Sequence, residues 1–364
     1  MKGRAALAAQ ALPFLAAAFL FVIFPSWTVD DAYTIFRYAE NLATHGALTW
    51  NPGESPVEGY TGIVLPLLLA FGAVLGIGPE GLSEAVGILA LFSAGVFLIR
   101  WLARMQVSVA TRAVTAALFL LAPFSLTHAT SGLETTLFAF ALVLAAERAW
   151  AFCADPPHHA WSAAAAFALT ALVRPEGLVF AGTLGLACAV HSRWSITALK
   201  AFAAACALPV GIYLVWRFAY YGRLFPNPYY VKTIDGWNAG VGAKFLSFAA
   251  RYLMLPVFAC VAALLSAAGL SRDSSRKIHP AAAAFAVSLM VVAFQYLRSD
   301  LLMNYSFRFF SLPAARLGRP RRSRGSVPSR RRLVGRTRAS PGRRVDPRHA
   351  GRCASRIRRS RIPR

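Results

Sequence analysis

The chain has 364 residues, of which 57% are hydrophobic and only 15% charged. That charge fraction is too low for an ordinary water-soluble protein and points to a chain built around apolar segments. The formal net charge of +24 misleads, because residues 311–364 hold 19 of the 39 basic residues and a single acid, Asp346. Before that point 20 basic residues meet 14 acidic ones, so two compositions join near residue 311. The five cysteines form no CxxC pair and mostly sit in apolar runs, which argues against a disulfide framework.

Lys2 and Arg4 precede an apolar run from Ala5 to Phe24 that ends in FPSW, not in a small-residue cleavage site. It reads as a retained first transmembrane helix. Further runs follow at about 83–102, 113–128, 135–152, 160–173, 177–191, 198–218, 249–269 and 280–297. Many approach the ~20 residues that cross a bilayer as a helix. One more run, GIVLPLLLAFGAVLGIG at 62–78, is short and carries Pro66.

Charge placement decides what that run does, because basic loops favour the cytoplasmic side. If 62–78 does not span, the inner loops hold 11 basic residues against three acids (Glu147, Asp155 and Asp273). The outer side then holds nine basic and 11 acidic residues of the first 310. If it did span, every later loop would change sides and the bias would largely reverse. The expected fold is therefore an all-α polytopic transmembrane helix bundle of about nine spans over residues 1–310. Its first outer loop is 26–82, and juxtamembrane helices are expected within that loop.

This topology places WTVDDAY, HATSGLET, RPEG, YYGRLFPNPYYVK and NYSFRFF on one face. In the first outer loop, DDAYTIFRYAENLATHGALTWNPGESPVEGYTG, Asp30 is the expected N-cap of a helix. Tyr33, Phe36, Arg37 and Glu40 then share one helical side. NPGE supplies a turn and EGYTG a second, glycine-bracketed one. Asp30 and Asp31 could be only a cap and a solvated charge. A carboxylate at the lipid boundary could equally accept a proton from a hydroxyl, or the pair could hold a divalent cation through hard oxygens. No other cofactor is expected.

Arg174 ends an apolar run beside Pro175. It is either a snorkelling arginine paired with Glu176 or a functional cation. Arg308, Lys232 and Arg223 offer further cations suited to a phosphate on the same side. Glu134 is either a partner of a helix N-terminus or a site residue. His45 and His128 are lone histidines with structural roles expected.

The ordered set DDAYTIFRYAENLATHGALTWNPGESPVEGYTG, ATSGLET, LVRPEG, YYGRLFPNPYYVK and YSFRFF resembles the multispanning GT-C glycosyltransferases. It is similar in particular to mycobacterial-type terminal arabinofuranosyltransferases. The resemblance covers about residues 5–310. It implies a bacterial cytoplasmic-membrane enzyme with an extracytoplasmic active site. Such an enzyme passes a sugar, arabinofuranose being one candidate, from a polyprenyl-phosphate donor to a cell-envelope glycan or glycolipid acceptor. On the family pattern Asp31 is the first choice for the base, with Asp30 beside it. Arg174, Arg308 and Lys232 would bind the donor phosphate. Glu58, Tyr60, Glu134 and Asn227 would contact the sugar or acceptor.

After Phe310 the pattern stops, and the tail 311–364 contains arginine but no lysine. All-arginine composition with Pro, Gly, Ser and Ala is what GC-rich codons give out of frame, so the tail reads as out-of-frame and disordered. It has no aromatic residue for stacking on a base, and no nucleic-acid partner is expected. Two other functional readings stand beside the transferase. One is a transporter or flippase of lipid-linked intermediates, although no internal repeat is evident. The other is an inactive remnant of a disrupted transferase gene.

Overall fold

The computed structural model describes residues 2–24, 26–223, 227 and 279–297, all within one compact unit, Met1–Leu312. Every regular element among them is helical. In chain order these are α1 (Lys2–Ile23), α2 (Asp30–His45), α3 (Val64–Val74), α4 (Pro79–Arg104), α5 (Val109–Leu120) and α6 (Pro123–Ala129). There follow α7 (Thr135–Ala154), α8 (Pro156–Val173), α9 (Gly177–His191) and α10 (Ile196–Phe202). A π-helical turn, Ala203–Ala207, leads into α11 (Leu208–Tyr221), and α12 is Pro280–Leu297, with side chains described as far as Ser288. The expected run at 249–269 and the basic tail lie outside the described residues.

Four helical stretches are long and apolar enough to cross a membrane: residues 4–23 of α1, α4, α7 and the continuous stretch Ile196–Tyr221. The run expected as one span at 113–128 is instead α5 and α6, bent by 56°. Pro123 accounts for the break, since proline removes a backbone donor and clashes with the preceding turn. Counting that pair as one span gives five. The described residues thus hold four or five candidates where about nine were expected along the chain. α9, expected to span, has 15 residues; at 1.5 Å each it reaches about 22 Å, short of the ~30 Å hydrocarbon core. α3, at 11 residues, is shorter still, in keeping with a segment that does not span.

The bundle turns its apolar side chains outward as well as inward. Leu7, Leu12, Leu15, Phe19 and Val22 of α1 are exposed, as are Leu208, Ile212 and Val215 further along. So much exposed aliphatic surface is compatible with a membrane protein, whose outer face meets lipid.

Inside, the helices meet through small residues. Ala145 and Ala149 of α7 pack with Ala160, Ala163 and Ala164 of α8, closed by Phe152, Phe167 and Leu184. Alanine lets backbones approach closely, which favours dispersion contacts where no hydrophobic drive exists. Where α4 crosses α6, a Cβ on Gly87 would lie 2.1 Å from the Ala129 carbonyl oxygen, so only glycine fits. Thr170 Oγ1 stitches α8 to α7 with a bond to the Ala141 oxygen at 3.1 Å.

The two ends of the bundle carry opposite charge. Arg100, Arg104, Arg112 and Arg148 gather where α4 and α7 end and α5 begins. Asp30, Asp31, Glu80, Glu134 and Glu176 stand at the opposite end, where α2, α4, α7 and α9 begin. At that acidic end a second apolar cluster, including Phe36, Tyr38, Leu48, Tyr60, Leu65, Leu69 and Tyr221, underlies the first long loop.

Candidate functional site

Separate stretches meet at the acidic end through main-chain contacts. Val29 N–H donates to the Ser131 oxygen at 3.0 Å, which ties the entry of α2 to the SGLET turn. Gly132 in that turn has φ +79, and a Cβ there would lie 2.7 Å from Ala32 Cβ. Further on, Ile63 N–H donates to the Leu172 oxygen at 3.2 Å. Beside it, a Cβ on Gly62 would fall 1.8 Å from the Val173 oxygen. The glycine of EGYTG is thus required for the loop to touch the end of α8. Asn227 N–H donates to the Glu58 oxygen at 3.2 Å, which adds the start of the NPYY stretch.

Arg174 leaves α8 with extended backbone, φ −150 and ψ 147, as a residue before proline prefers. Its guanidinium turns toward two carboxylates, Glu134 at 3.4 Å and Glu176 at 3.2 Å. It also lies 5.7 Å from the Phe138 ring centroid. Glu134 makes no side-chain cap to α7 although it occupies the N-cap position. Arg174 therefore pairs with Glu176, as the plainer expectation had it, and with Glu134 as well.

Asp30 is not the N-cap of α2. Val29 holds that position, and Asp30 opens the helix itself, its carboxylate accepting from Asp31 N–H at 3.1 Å. Acids in a first turn are favoured by the exposed N–H groups there. Both aspartates are exposed. The Asp31 carboxylate makes no hydrogen bond or ion pair within the described residues and is open to solvent. No group of three His, Cys, Asp or Glu residues able to hold a metal lies together among the described residues. The two adjacent aspartates alone fall short of the six or more oxygens a calcium-type ion takes.

The helical side marked by Tyr33, Phe36, Arg37 and Glu40 lines a cavity of about 530 Å³, closed by Asn41 and by Gly78, Pro79 and Glu80 at the start of α4. Glu80 beside the Tyr33 hydroxyl raises the phenol above its ordinary pKa. Arg37 is fixed by the Trp50 oxygen at 2.8 Å and Asn51 Oδ1 at 2.7 Å, with its guanidinium 4.3 Å from the Trp50 ring centroid. At about 100° per residue, Asp30 lies at the edge of this side of α2, whereas Asp31 lies nearly half a turn from its centre, toward the loop. A second, mostly apolar cavity of about 260 Å³ lies between Thr61, Gly62, Leu172, Pro175, Leu178 and Tyr213, with Arg217 at its edge.

Glu58 and Tyr60, expected to meet a ligand, are buried where the loop packs against α11. Arg217 Nε donates to both Glu58 oxygens, at 2.9 and 2.8 Å. Burial raises the Glu58 carboxyl above its usual range, and Arg217 pulls it partly back. The Tyr60 and Tyr221 hydroxyls meet at 3.1 Å, and Tyr221 donates on to the Leu48 oxygen at 2.6 Å. Tyr38 donates to the Val57 oxygen and accepts from Gly59 N–H. Burial pushes the Tyr60 and Tyr38 phenols upward, which keeps them neutral donors.

Asn227 accepts from Arg223 at 2.9 Å through its side-chain oxygen. Lys232, Arg308 and NYSFRFF lie outside the described residues. His128 is half-buried against Phe124, and His45 is exposed beside Thr44. The residue that sequence reasoning missed is Arg217. It stood inside an apolar run, and a cation there was itself a signal. Compared with known protein families, with curated proteins and with solved structures, the chain matches none.

Proposed function

We propose that the chain is a GT-C-type membrane glycosyltransferase of about nine spans, moving a sugar from a polyprenyl-phosphate donor to an extracytoplasmic glycan or glycolipid. The observation that carries this reading is the main-chain clasp at the acidic end, which ties the entry of α2, with its exposed Asp30–Asp31 pair, to the SGLET turn whose Glu134 pairs with Arg174. Asp31 acts as the base. It takes the proton of an acceptor hydroxyl while that oxygen attacks the sugar's anomeric carbon. The bond from that carbon to the donor phosphate breaks, the phosphate leaves on its lipid, and one displacement inverts the carbon.

The cavity of about 530 Å³, where Tyr33, Glu40 and Asn41 offer a ring and hydrogen-bonding groups to a polyol, holds a part of the acceptor remote from the hydroxyl that meets Asp31. Asp30 stands on the same side of α2. Arg174 is already matched by two carboxylates, so in this reading it positions Glu134 and Glu176. Lys232 and Arg308 then supply the charge for the departing phosphate. The apolar cavity beside Pro175 suits the first carbons of the lipid. The basic end faces the cytoplasm of a bacterial inner membrane, and the acidic end faces outward.

The test is transfer from a radiolabelled polyprenyl-phosphate sugar to an added glycan acceptor, with the full chain in nanodiscs. Asp31→Asn should lower the rate by about 10²–10⁴, the usual worth of a general base, while leaving insertion and melting unchanged. Wild-type turnover in that variant would sink the assignment. A transporter of lipid-linked intermediates is the second reading, favoured by the broken α5–α6 pair. Lipid movement across the bilayer without transfer selects it.

A further inference from the structure

The basic end holds a cluster that the transferase reading does not use. Glu147 on α7 is fully buried, and its two oxygens accept from Arg104 Nε at 2.7 Å and from Arg148 Nε at 2.5 Å. Arg148 and Arg100 both lie against the ring of Phe97, at 5.9 and 5.1 Å from its centroid. Arg148 thus touches both Glu147 and the ring that Arg100 lies against, and these three guanidiniums have one carboxylate between them, leaving two positive charges unmatched among the described residues.

Both ion pairs use Nε, so the terminal nitrogens remain available for another acceptor. Arg148 Nη2 is buried without a hydrogen-bond partner, as is Arg112 Nε in the first turn of α5. Buried N–H groups of this kind normally meet an acceptor, and an arginine fork is shaped for the oxygens of a phosphate. The depth of the cluster is also informative. Trp101 and Trp150 flank it on α4 and α7, and Trp161 and Trp194 lie at the same end of α8 and α9. Tryptophan concentrates where hydrocarbon gives way to headgroups.

We propose that Arg100, Arg104 and Arg148 bind a phosphate oxyanion, carried by an anionic phospholipid headgroup or free in solution. The tryptophan level favours the lipid. A phosphodiester there meets both unmatched charges, whereas a zwitterionic headgroup would bring its own ammonium against the arginines.

The full chain, purified in detergent and stripped of lipid, is titrated with phosphatidylglycerol, with phosphatidylcholine and with inorganic phosphate. Native mass spectrometry reads occupancy, and thermal melting reads stabilisation. Wild type should retain one phosphatidylglycerol at concentrations where phosphatidylcholine is lost, and should melt higher with it. Arg100→Gln leaves both Glu147 ion pairs intact, so the fold survives. It should weaken phosphatidylglycerol binding about tenfold, as the loss of one charge-assisted contact does. Arg148→Gln should weaken it further. Stabilisation by inorganic phosphate alone, abolished in Arg100→Gln, would keep the site and assign it to free phosphate. Equal retention of the two lipids, or unchanged phosphatidylglycerol binding in Arg100→Gln with no effect of phosphate, overturns the proposal.

Discussion

Replacing Arg217 by methionine tests the buried pair that fastens the first long loop to α11. Arg217 and Glu58 are 4% and 3% exposed, so the small worth of surface ion pairs does not apply to them. Methionine fills much of the arginine's volume but leaves the Glu58 carboxylate buried without its cation, a change that costs about 3–5 kcal/mol. Adding Glu58→Gln removes the stranded charge and leaves a neutral amide, whose unmet hydrogen bonds cost about 1–3 kcal/mol. The double variant should therefore be more stable than Arg217→Met alone, by about 2 kcal/mol.

The pH dependence follows from burial. Glu58 already has its carboxyl raised by desolvation, and loss of Arg217 raises it further. A carboxyl whose folded pKa exceeds its unfolded one is penalised at pH values above both. The deficit of Arg217→Met should thus be full at neutral pH and shrink as pH falls through the raised value. Thermal melting of wild type, both single variants and the double variant in one detergent, from pH 4.5 to 8, reads all of this. If Arg217→Met melts like wild type, or if the two substitutions are additive, the pair does not hold the loop and the reasoning fails.

Gly62→Ala should displace the loop or cost about 3 kcal/mol, the upper range of core overpacking, because its Cβ would meet a main-chain oxygen that cannot turn away. Gly81→Ala in α4 meets open space and should stabilise by about 0.5–1 kcal/mol through helix propensity; melting of the two variants side by side checks both. His158 lies 2.8 Å from Asp155 at the exposed turn between α7 and α8. That carboxylate raises the imidazole above its ordinary pKa. The pair's contribution is complete below the unfolded histidine value and fades as pH rises through the folded one. An NMR titration of His158 should show a raised midpoint that Asp155→Asn returns toward normal.

Much of the acidic end was legible because its signals are local. The spacing of Tyr33, Phe36, Arg37 and Glu40 describes one side of α2, and that side lines the larger cavity. The glycines of EGYTG announced a turn, though not that Gly62 would press against the end of α8. Arg217 escaped because its partner lies 159 residues away and nothing in an apolar run names a distant carboxylate. Glu147 was counted only as a loop acid in the charge tally. Two arginines close in space, one of them 43 residues away in sequence, make it a buried hub. The break at Pro123 was written in the sequence, yet hydropathy alone read through it.

The clasp that holds the loop from Val29 to Ile63 uses peptide groups at both ends. The two ends of a loop anchored in this way do not depend on particular side chains for their seat, apart from the glycines that permit the approach, whereas its middle rests on Glu58 and the buried tyrosines. Tyr33 and Glu40 can change without loosening those ends. Such a scaffold separates variation from architecture: substitutions along the exposed side of α2 can reshape the cavity wall, while the peptide anchors keep the acid pair in place.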